Sequence, residues 1–492
     1  MDYKYLLISS VFAPLLAMLI VLFTPHMPKK FVKTVAIITS SYSAVAALFL
    51  CAGIFISGTG ADFNYVLVGY GNILPNFGLN GISAVMFLLA SLVSLSAVWA
   101  GKTAFIKNYK TYLLLLLFSQ LGLLAMFATT NMLWAYLFHE FALVPTFIAT
   151  LYWGGFGRRS ASMQMAIYLT VGALISLVGI VGLYLYSAAP SFEVTDLISA
   201  SLAKIESGHT ANVIFFLMAI GFAILMSIFP FHSWAFKGYT AAPTAFSMIH
   251  AGVLKKFGFF MLLQLAIPAL PISAGELMPY FAILALFNIV LVGIYTIAQR
   301  DLKMMFSYSS VSHIGICVLG VATMSVLGAG SAVVYAFAHG LSIAVLFYLS
   351  NLVANKAETY DMREMGGLIS RLPILCAFFV MAVFASIALP AFANFWGEVG
   401  VFVAAFGYNI TFAVLACLGL IISAIYGLRA VANVFYGGSK AKFDNLKDIN
   451  FKEKIPAIIL LIFLIIVGFY PRSITKMIDE NLSANAIYSQ NK

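Results

Sequence analysis

Residues 211–236 read ANVIFFLMAIGFAILMSIFPFHSWAF, an apolar run that is longer than one bilayer crossing requires and that contains Pro230. About 20 mostly apolar residues suffice for a transmembrane helix. A proline inside such a helix removes a backbone hydrogen bond and frees a carbonyl group, which is tolerated only against protein or water. The segment Ile228–Trp234 therefore predicts a break in a transmembrane helix.

A second break is predicted at Ala388–Glu398, ALPAFANFWGE, where Pro390 interrupts another long apolar stretch. Paired interruptions in the two halves of a chain indicate an inverted-repeat transporter whose pathway lies near the middle of the membrane. Ordinary proline kinks remain the alternative interpretation.

Outward from these stretches, the same apolar pattern predicts an all-α, polytopic membrane protein with about fourteen transmembrane helices. Of the 492 residues, 63% are hydrophobic and 9% are charged, so no segment is polar enough to form a second, soluble domain. The first run is interpreted as a retained helix and not as a signal peptide, because it lacks a small-residue cleavage site. The predicted spans are Tyr5–Thr24, Phe31–Ile56, Leu79–Ala100, Tyr112–Ala128, Leu133–Trp153, Met163–Tyr186, Ala211–Phe236, Thr244–Ala266, Leu277–Ala298, Leu302–Met324, Ser331–Ala354, Leu372–Phe406, Thr411–Phe435 and Ile455–Tyr470.

Positive charge alternates from loop to loop and predicts the orientation. Counted from the N-terminus, the even loops hold almost no basic residue except Lys204. The odd loops carry Lys29, Lys30, Lys33, Lys102, Lys107, Lys110, Arg158, Arg159, Lys237, Arg300, Lys303, Lys356, Arg363, Arg371, Lys440, Lys442, Lys447, Lys452 and Lys454. By the positive-inside rule the odd loops are cytoplasmic and both termini lie outside.

The sequence excludes several classes of site. Its four cysteines, which have no CxxC spacing, predict neither disulfides nor a metal or iron–sulfur centre. The longest loops are Ser187–Thr210, Asn355–Arg371 and Tyr436–Lys454, and they contain no phosphate-binding glycine motif and no nucleophile constellation. Any chemistry is therefore expected inside the membrane.

Ionisable residues within the spans are the candidates for that chemistry, because each costs about 2.5–3.5 kcal/mol at the centre of a bilayer. Glu140, Lys256 and Glu398 are the main ones, and Lys255 lies about 100° around the helix from Lys256. Low dielectric disfavours the charged form of such groups, which brings them toward proton exchange at neutral pH. Purely structural pairing is the alternative. His250, His313 and His339 also lie in spans, where a lone histidine can instead join two helices by a hydrogen bond.

Five motifs resemble the antiporter-like subunits shared by respiratory complex I, membrane-bound hydrogenases and multisubunit cation/proton antiporters. They are HEFALVPTFIATLYWGG (139–155), FPFHSW with AAPTAFSMIHAGVLKKFG (229–258), QRDLKMMFSYSSVSHIG (299–315), HGLSIAVLF (339–347) and DMREMGGL (361–368). The ending DINFKEKIPAIILLIFLIIVGFYP (448–471) resembles the M-type branch. A long amphipathic helix after the last span, typical of the L-type, is absent from the sequence.

The resemblance implies two inverted five-helix repeats, each with one broken helix, at 111–266 and 277–435, with flanking helices over 1–105 and a C-terminal helix at 455–470. It also implies that Glu140, Lys256, His339 and Glu398 form a hydrated row of proton carriers across the middle of the membrane. Further candidates for this pathway are Lys255, Lys237, His232, His250 and His313, beside the breaks at Pro230 and Pro390.

The first broken helix departs from the family pattern F-x-x-K-x-P-x-x-P-x-H-x-W. This chain reads FAILMSIFPFHSW and places Leu225 where the central lysine is usual and Ser227 where the first proline is usual. WAFKGY occurs where the family usually has W-L-P-D-A-H. In the second broken helix, Pro390-Ala391-Phe392 occurs where the family usually has P-G-T. Either Lys237 or Lys255 substitutes for the missing lysine, or the subunit pumps poorly or not at all.

Three functions follow from the resemblance. The chain is a membrane-arm subunit of a proton-pumping NADH:quinone oxidoreductase, a subunit of a cation/proton antiporter, or a structural member of such a complex that has lost its channel. In the first case it binds no flavin, metal or nucleotide itself. It then contacts other membrane-arm subunits and the lipid bilayer, meets quinone and NADH only through partner subunits, and binds no nucleic acid.

Overall fold

The computed structural model describes residues 3–57, 75–101, 106–204, 208–438 and 440–483, and over these ranges the chain is helical with three isolated β-bridges and no longer strand. Lys102, which contributed to the predicted orientation, lies outside the described residues. The main helices are α1 (Tyr3–Phe23), α2 (Lys29–Ser57), α3 (Gly81–Ala100), α4 (Tyr109–Ala128), α5 (Met132–Trp153), α6 (Arg158–Ser187), α7 (Val194–Ala203), α8 (Gly208–Met226), α9 (Ser233–Ala241), α10 (Thr244–Ala269), α11 (Pro271–Ala298), α12 (Leu302–Ala322), α13 (Val326–Ala357), α14 (Pro373–Ser386), α15 (Ala393–Tyr408), α16 (Ile410–Phe435), α17 (Phe451–Phe469) and α18 (Arg472–Ser483).

Twelve of the described helices are long and apolar enough to cross a membrane, and the bent pair α17–α18 brings the number to thirteen. Every predicted span has a helical counterpart. The twelfth, 372–406, is divided into α14 and α15, of 14 and 16 residues, each shorter than a single crossing. The prediction of an all-α, multi-pass membrane protein is confirmed.

Two helices were missed by the sequence analysis. α7 lies in a segment that was predicted to be a loop, and it packs inward so that Ser201 Oγ donates to the Ala269 carbonyl at 2.7 Å. α18 follows the last predicted span at an angle of 71°. It buries Ile474, Met477 and Ile478 on one face against α3 and α13. Both helices are too short for a search based on bilayer thickness.

Side chains at the helix starts satisfy the free N–H groups that each helix leaves there. Asn80 forms a capping box with Ser83 at α3, and Asn450 forms one with Glu453 at α17. Asn131, Asp301 and Ser325 cap α5, α12 and α13. Polar residues at these positions fix where the helices begin.

Short backbone pairings join loops at both ends of the bundle. We call the ends the odd-loop face and the even-loop face after the loops that they carry. On the odd-loop face, Leu302 N–H donates to the Tyr360 carbonyl at 2.9 Å and Met362 N–H donates to the Arg300 carbonyl at 3.0 Å. Hydrogen bonds from Arg363 hold the pKa of the Asp361 carboxyl at about 2. The motifs QRDLK and DMRE therefore form one docked pair of loops.

Both predicted breaks are present. α8 ends at Met226 and α9 begins at Ser233, with Ser227 in a left-handed conformation at φ 63°. Asn288 of α11 satisfies the interrupted backbone, because its Oδ1 accepts from Phe229 N–H at 2.6 Å and its Nδ2 donates to the Ser227 carbonyl at 3.1 Å. A single amide side chain thus closes the first break.

The second break has no equivalent amide among the described residues and is closed by packing. α14 ends at Ser386 and α15 begins at Ala393, with Ala388 and Ala391 at φ 55° and 85°. Gly468 of α17 lies so close to the Ala391 carbonyl that a Cβ atom would collide with it. Trp396 Nε1 donates to the Gly468 carbonyl at 2.7 Å, which fastens α15 to α17.

α10 and α13 cross at two glycines in the centre of the bundle. A Cβ atom on Gly340 would lie 2.6 Å from the Gly252 carbonyl oxygen, and one on Gly252 would lie 3.0 Å from the Gly340 oxygen. Small residues allow such close backbone approach in membrane bundles. The contact brings the helix with the two adjacent lysines against the helix that carries His339.

Substitution Asn288→Leu is expected to destabilise the bundle by about 1–3 kcal/mol, because the Phe229 N–H and the Ser227 carbonyl would lose their buried partner. The measurement is the temperature of inactivation of the membrane complex, together with its yield on native gels. Asn212→Leu is the control, since Asn212 bonds Glu276 on the surface. Equal behaviour of the two variants would show that Asn288 does not close the break.

Gly340→Ala is expected to cost about 1–3 kcal/mol and to lower the yield of assembled complex, since a single methyl group overfills the crossing of α10 and α13. Gly275→Ala is the matched control, because no atom lies within 4 Å of a Cβ atom at that position. Yield and thermal inactivation of the two variants are compared. A Gly340→Ala complex as stable as the control would contradict the close contact.

Candidate functional site

Two lysines of α10 lie side by side in the interior of the bundle. Lys255 is 1% exposed and Lys256 is fully buried. They directly follow a π-helical turn, His250–Leu254, of the kind that often occurs at functional sites. Lys256 Nζ donates to the Ala251 carbonyl in that turn at 2.6 Å. The backbone of α10 thus holds one ammonium group itself.

Lys255 reaches across to α12. Its Nζ donates to the Ser310 carbonyl and, at 2.6 Å, to the Ser310 hydroxyl. That hydroxyl lies 3.3 Å from His339 Nε2 on α13. Lysine, serine and histidine from three helices therefore form one hydrogen-bonded connection.

His313 continues the connection. Its ring lies 5.2 Å from the ring of His339. Its Nδ1 is 2.5 Å from the Tyr335 hydroxyl and its Nε2 is 2.7 Å from the Tyr426 hydroxyl, which in turn contacts Ser309 Oγ at 2.8 Å. His313 therefore joins α12, α13 and α16 by hydrogen bonds.

Glu398 lies next to the tyrosines. It is 1% exposed, and neither of its carboxylate oxygens has a hydrogen-bond partner among the described residues. A Cβ atom on the adjacent Gly397 would lie 2.6 Å from Tyr335 Cα, so α15 touches α13 at this level. Glu398 thus lies on the helix that contacts Tyr335, close to the tyrosines that bond His313. We use the name central row for Lys256, Lys255, Ser310, His339, His313, Tyr335, Tyr426 and Glu398.

Glu140 stands apart from the central row. Its side chain is 24% exposed, and its Oε1 lies 3.8 Å from Nδ1 of the neighbouring His139, which forms an ion pair with it only when the imidazole is protonated. The His139 ring stacks on Phe257 at 4.5 Å, next to Lys256 in sequence. Glu140 is thus related to Lys256 only indirectly, through its neighbour His139 and the stacking of His139 on Phe257.

The remaining candidates lie around the first break. His232 is half-buried and stacks on Phe229 at 5.5 Å, whereas Lys237 is exposed on the odd-loop face. Leu225 is 1% exposed, and with this leucine the α8 half of the first broken helix contains no lysine or arginine. His250 packs between the rings of Trp234 and Tyr239, at 5.2 Å from each.

Sequence reasoning missed the hydroxyl members of the central row, Ser310, Tyr335 and Tyr426. The signal for Ser310 was its place three residues before His313, on the same side of α12. Hydroxyl and imidazole groups each accept and donate hydrogen bonds, so this arrangement is suited to passing protons. In the described part of the chain, no group of three or more His, Cys, Asp and Glu residues is arranged to hold a metal ion.

The sequence is similar to that of known membrane proteins. Residues 129–425 match the family described as NADH:quinone oxidoreductase/Mrp antiporter, transmembrane. The chain is 28% identical to a NADH-quinone oxidoreductase subunit M from Rickettsia prowazekii, over 96% of this chain and 97% of the relative. It is 30% identical to a NAD(P)H-quinone oxidoreductase chain 4 from Prochlorococcus marinus, over 84% and 79%. These relatives confirm the expected resemblance to the M-type branch.

Solved structures share the fold. A chain of respiratory complex I from Thermus thermophilus matches with a TM-score of 0.86 and 24% identity, over 97% of this chain and 99% of that one. A chain of the Mrp complex from a Dietzia species matches with a TM-score of 0.87 and 16% identity, over 99% of both. Since the family match covers more than half of the sequence, this chain belongs to the NADH:quinone oxidoreductase/Mrp antiporter family of transmembrane proteins.

Proposed function

We propose that the chain is a membrane-arm subunit of a proton-pumping NADH:quinone oxidoreductase and that the central row carries protons across the middle of the membrane. The observation that carries this proposal is the connection from Lys255 through Ser310 to His339, buried inside a member of this family. Seven of the eight members of the central row are ionisable. Burying that many such groups costs free energy, and ionisable groups in the membrane interior commonly mark proton or ion pathways.

Within this proposal the redox chemistry belongs to partner subunits. The chain itself binds no flavin, metal or nucleotide, and it meets NADH and quinone only through its partners. Those partners are the other membrane-arm subunits, as the names of the relatives suggest. Protonation changes of the central row then couple to quinone reduction through the assembled complex.

The orientation and repeats belong to the same proposal. The Lys and Arg residues of the odd-loop face support a cytoplasmic side for that face by the positive-inside rule. Both termini would then lie on the outer side of an inner, cytoplasmic membrane. The two repeats extend over 111–266 and 277–435, so that each contains one of the two observed breaks. The central row lies between them and draws α10 from the first repeat and α12, α13, α15 and α16 from the second.

Lys255 takes the place of the cation that is missing at Leu225. It is buried and bonded into the row, whereas Lys237 is exposed and lies on the odd-loop face. α8 packs on α10 close to the two lysines, since Gly258, three residues beyond Lys255, approaches the backbone of Phe222. The leucine therefore contributes packing, and the adjacent helix contributes the charge.

The two other functions share the fold, so the fold does not separate them. A cation/proton antiporter subunit would work without redox partners, whereas the relatives compared above are named as subunits of quinone oxidoreductases. A subunit that only bridges its neighbours would not need a connected row of buried ionisable groups. The hydrogen-bonded connection from Lys255 to His339, with further buried ionisable groups beside it, favours transport.

Glu140→Gln and Lys256→Ala are expected to lower proton pumping by the intact complex in inverted membrane vesicles, and coupled quinone reductase activity with it. The reason is that Lys256 is a member of the central row, and that Glu140 is the carboxylate that the family resemblance implies as a further proton carrier outside the row. Assembly is checked on native gels. Normal pumping by both assembled variants would make these residues structural and this subunit a spacer.

Lys255→Met is expected to lower pumping as strongly as Lys256→Ala, because the connection to Ser310 and His339 begins at Lys255. Lys447→Met, at an exposed lysine of the odd-loop face, is the control and is expected to pump normally. Pumping is followed in the same vesicles. If Lys255→Met pumps like the control, the Leu225 position is not compensated by Lys255.

A further inference from the structure

A cavity of 570 Å³ opens on the odd-loop face between the start of α12 and the loop that joins α9 to α10. Lys237, Thr240, Asp301, Lys303 and Asn351 are among its lining residues. At about 30 Å³ for each water molecule, the cavity has room for many of them. It therefore brings the aqueous phase to the first turn of α12.

Lys303 is on the wall of this cavity. The sequence analysis counted it as a loop charge, but its side chain lies in the first turn of α12 and the residue is only 6% exposed. Its Nζ donates to the Ala242 carbonyl at 2.6 Å. Burial of an ammonium group costs free energy, and one hydrogen bond to a carbonyl offsets only part of that cost. A lysine that served only to make the surface soluble would not need to be buried.

A polar stripe runs from Lys303 into the membrane along one face of α12. Ser307 and Ser310 follow at four and seven residues, the spacing of neighbours on a helix face. Ser307 Oγ donates to the Lys303 carbonyl at 2.8 Å and lies 3.1 Å from Thr240 Oγ1, at the cavity. Ser310 holds Lys255. The stripe thus leads from the cavity to the central row.

The stripe is long enough to connect the odd-loop face with the buried lysines. Seven residues of helix rise by about 10 Å, roughly a third of the hydrocarbon core of a bilayer. The step from Ser307 to Ser310 rises by about 4.5 Å, which one bridging water molecule spans. The described structure therefore contains a short polar path from the odd-loop face to Lys255.

We propose that Lys303, Ser307 and Ser310 form the proton inlet of the central row, with Lys303 as its first carrier. The Lys303 ammonium, which the structure bonds to the Ala242 carbonyl, releases a proton through a water molecule of the cavity to the Ser307 hydroxyl. Ser307 then passes its own proton through a second water molecule to Ser310. The neutral Lys255 amine receives a proton from Ser310, and Lys303 regains one from water in the cavity. Each hydroxyl ends with the proton count that it had before. This inference rests on the proposed function.

Water access along the stripe is tested by labelling. Ser307→Cys is exposed to a membrane-impermeant methanethiosulfonate reagent in membrane vesicles of both orientations, with the native cysteines of the unsubstituted protein as background. Ser312→Cys is the control, because Ser312 lies on the opposite face of α12 and bonds the Ile289 carbonyl at 3.1 Å. Labelling at least tenfold faster at Ser307→Cys, and only from the odd-loop face, is expected. Equal rates would overturn the inlet.

Transport along the stripe is tested in the intact complex. Lys303→Met and Ser307→Val are expected to lower proton pumping at least threefold, while Ser312→Val pumps normally. Lys303→Arg keeps the charge and a hydrogen-bond donor but does not give up its proton, so it is expected to fail as well. Restored pumping with arginine would overturn the carrier role of Lys303.

The result for Glu398→Gln separates the two proposals. If Glu398→Gln blocks pumping while Lys303→Met and Ser307→Val pump normally, the inlet is wrong and the proposed function stands. If all three pump normally, the proposed function fails, and the labelling rates still decide whether water enters along α12.

Discussion

The crossing of α10 and α13 at Gly252 and Gly340 sets the geometry of the whole interior. Two helices whose backbones approach this closely leave no room for apolar side chains between them, so the groups on either side of the crossing face each other. Lys255 lies just beyond Gly252, and His339 directly precedes Gly340. Ser310 of α12 lies beside both helices. Its hydroxyl accepts a hydrogen bond from Lys255 Nζ and lies within hydrogen-bond distance of His339 Nε2.

The two breaks satisfy the same constraint in different ways. In a membrane, a backbone group freed from a helix must find a protein or water partner. At the first break Asn288 supplies both a donor and an acceptor, so the backbone is held by hydrogen bonds. At the second, α17 is packed against Ala391 and bonded through Trp396. The first break is thereby fastened within the bundle, and the second depends on the C-terminal span.

The sequence predicted the spans well and the site only in part, for physical reasons. Apolar runs of bilayer length are unambiguous, and a proline in such a run marks a break, whereas α7 and α18 are shorter than any membrane search detects. Charged residues in a span stand out because of their cost. Serine and tyrosine are tolerated there, so Tyr335 and Tyr426 gave no signal, and Ser310 gave only its spacing from His313. Lys303 lay inside the predicted span Leu302–Met324 but was counted with the loop charges, because the alternation of charge does not show whether a side chain in the first turn of a helix is buried.

The members of the central row differ in the number of hydrogen bonds that they make to the protein, and a change of protonation therefore disturbs the structure more at some members than at others. His313 has both ring nitrogens bonded to tyrosines, and Lys255 is bonded to a carbonyl and a hydroxyl. Glu398 has no hydrogen-bond partner for either oxygen among the described residues. A proton added at Glu398 breaks no existing hydrogen bond, whereas a change at His313 rearranges contacts to two helices. Protonation of Glu398 therefore disturbs the fewest hydrogen bonds of the row, and changes at His313 are the ones that would rearrange the contacts of α12 with α13 and α16.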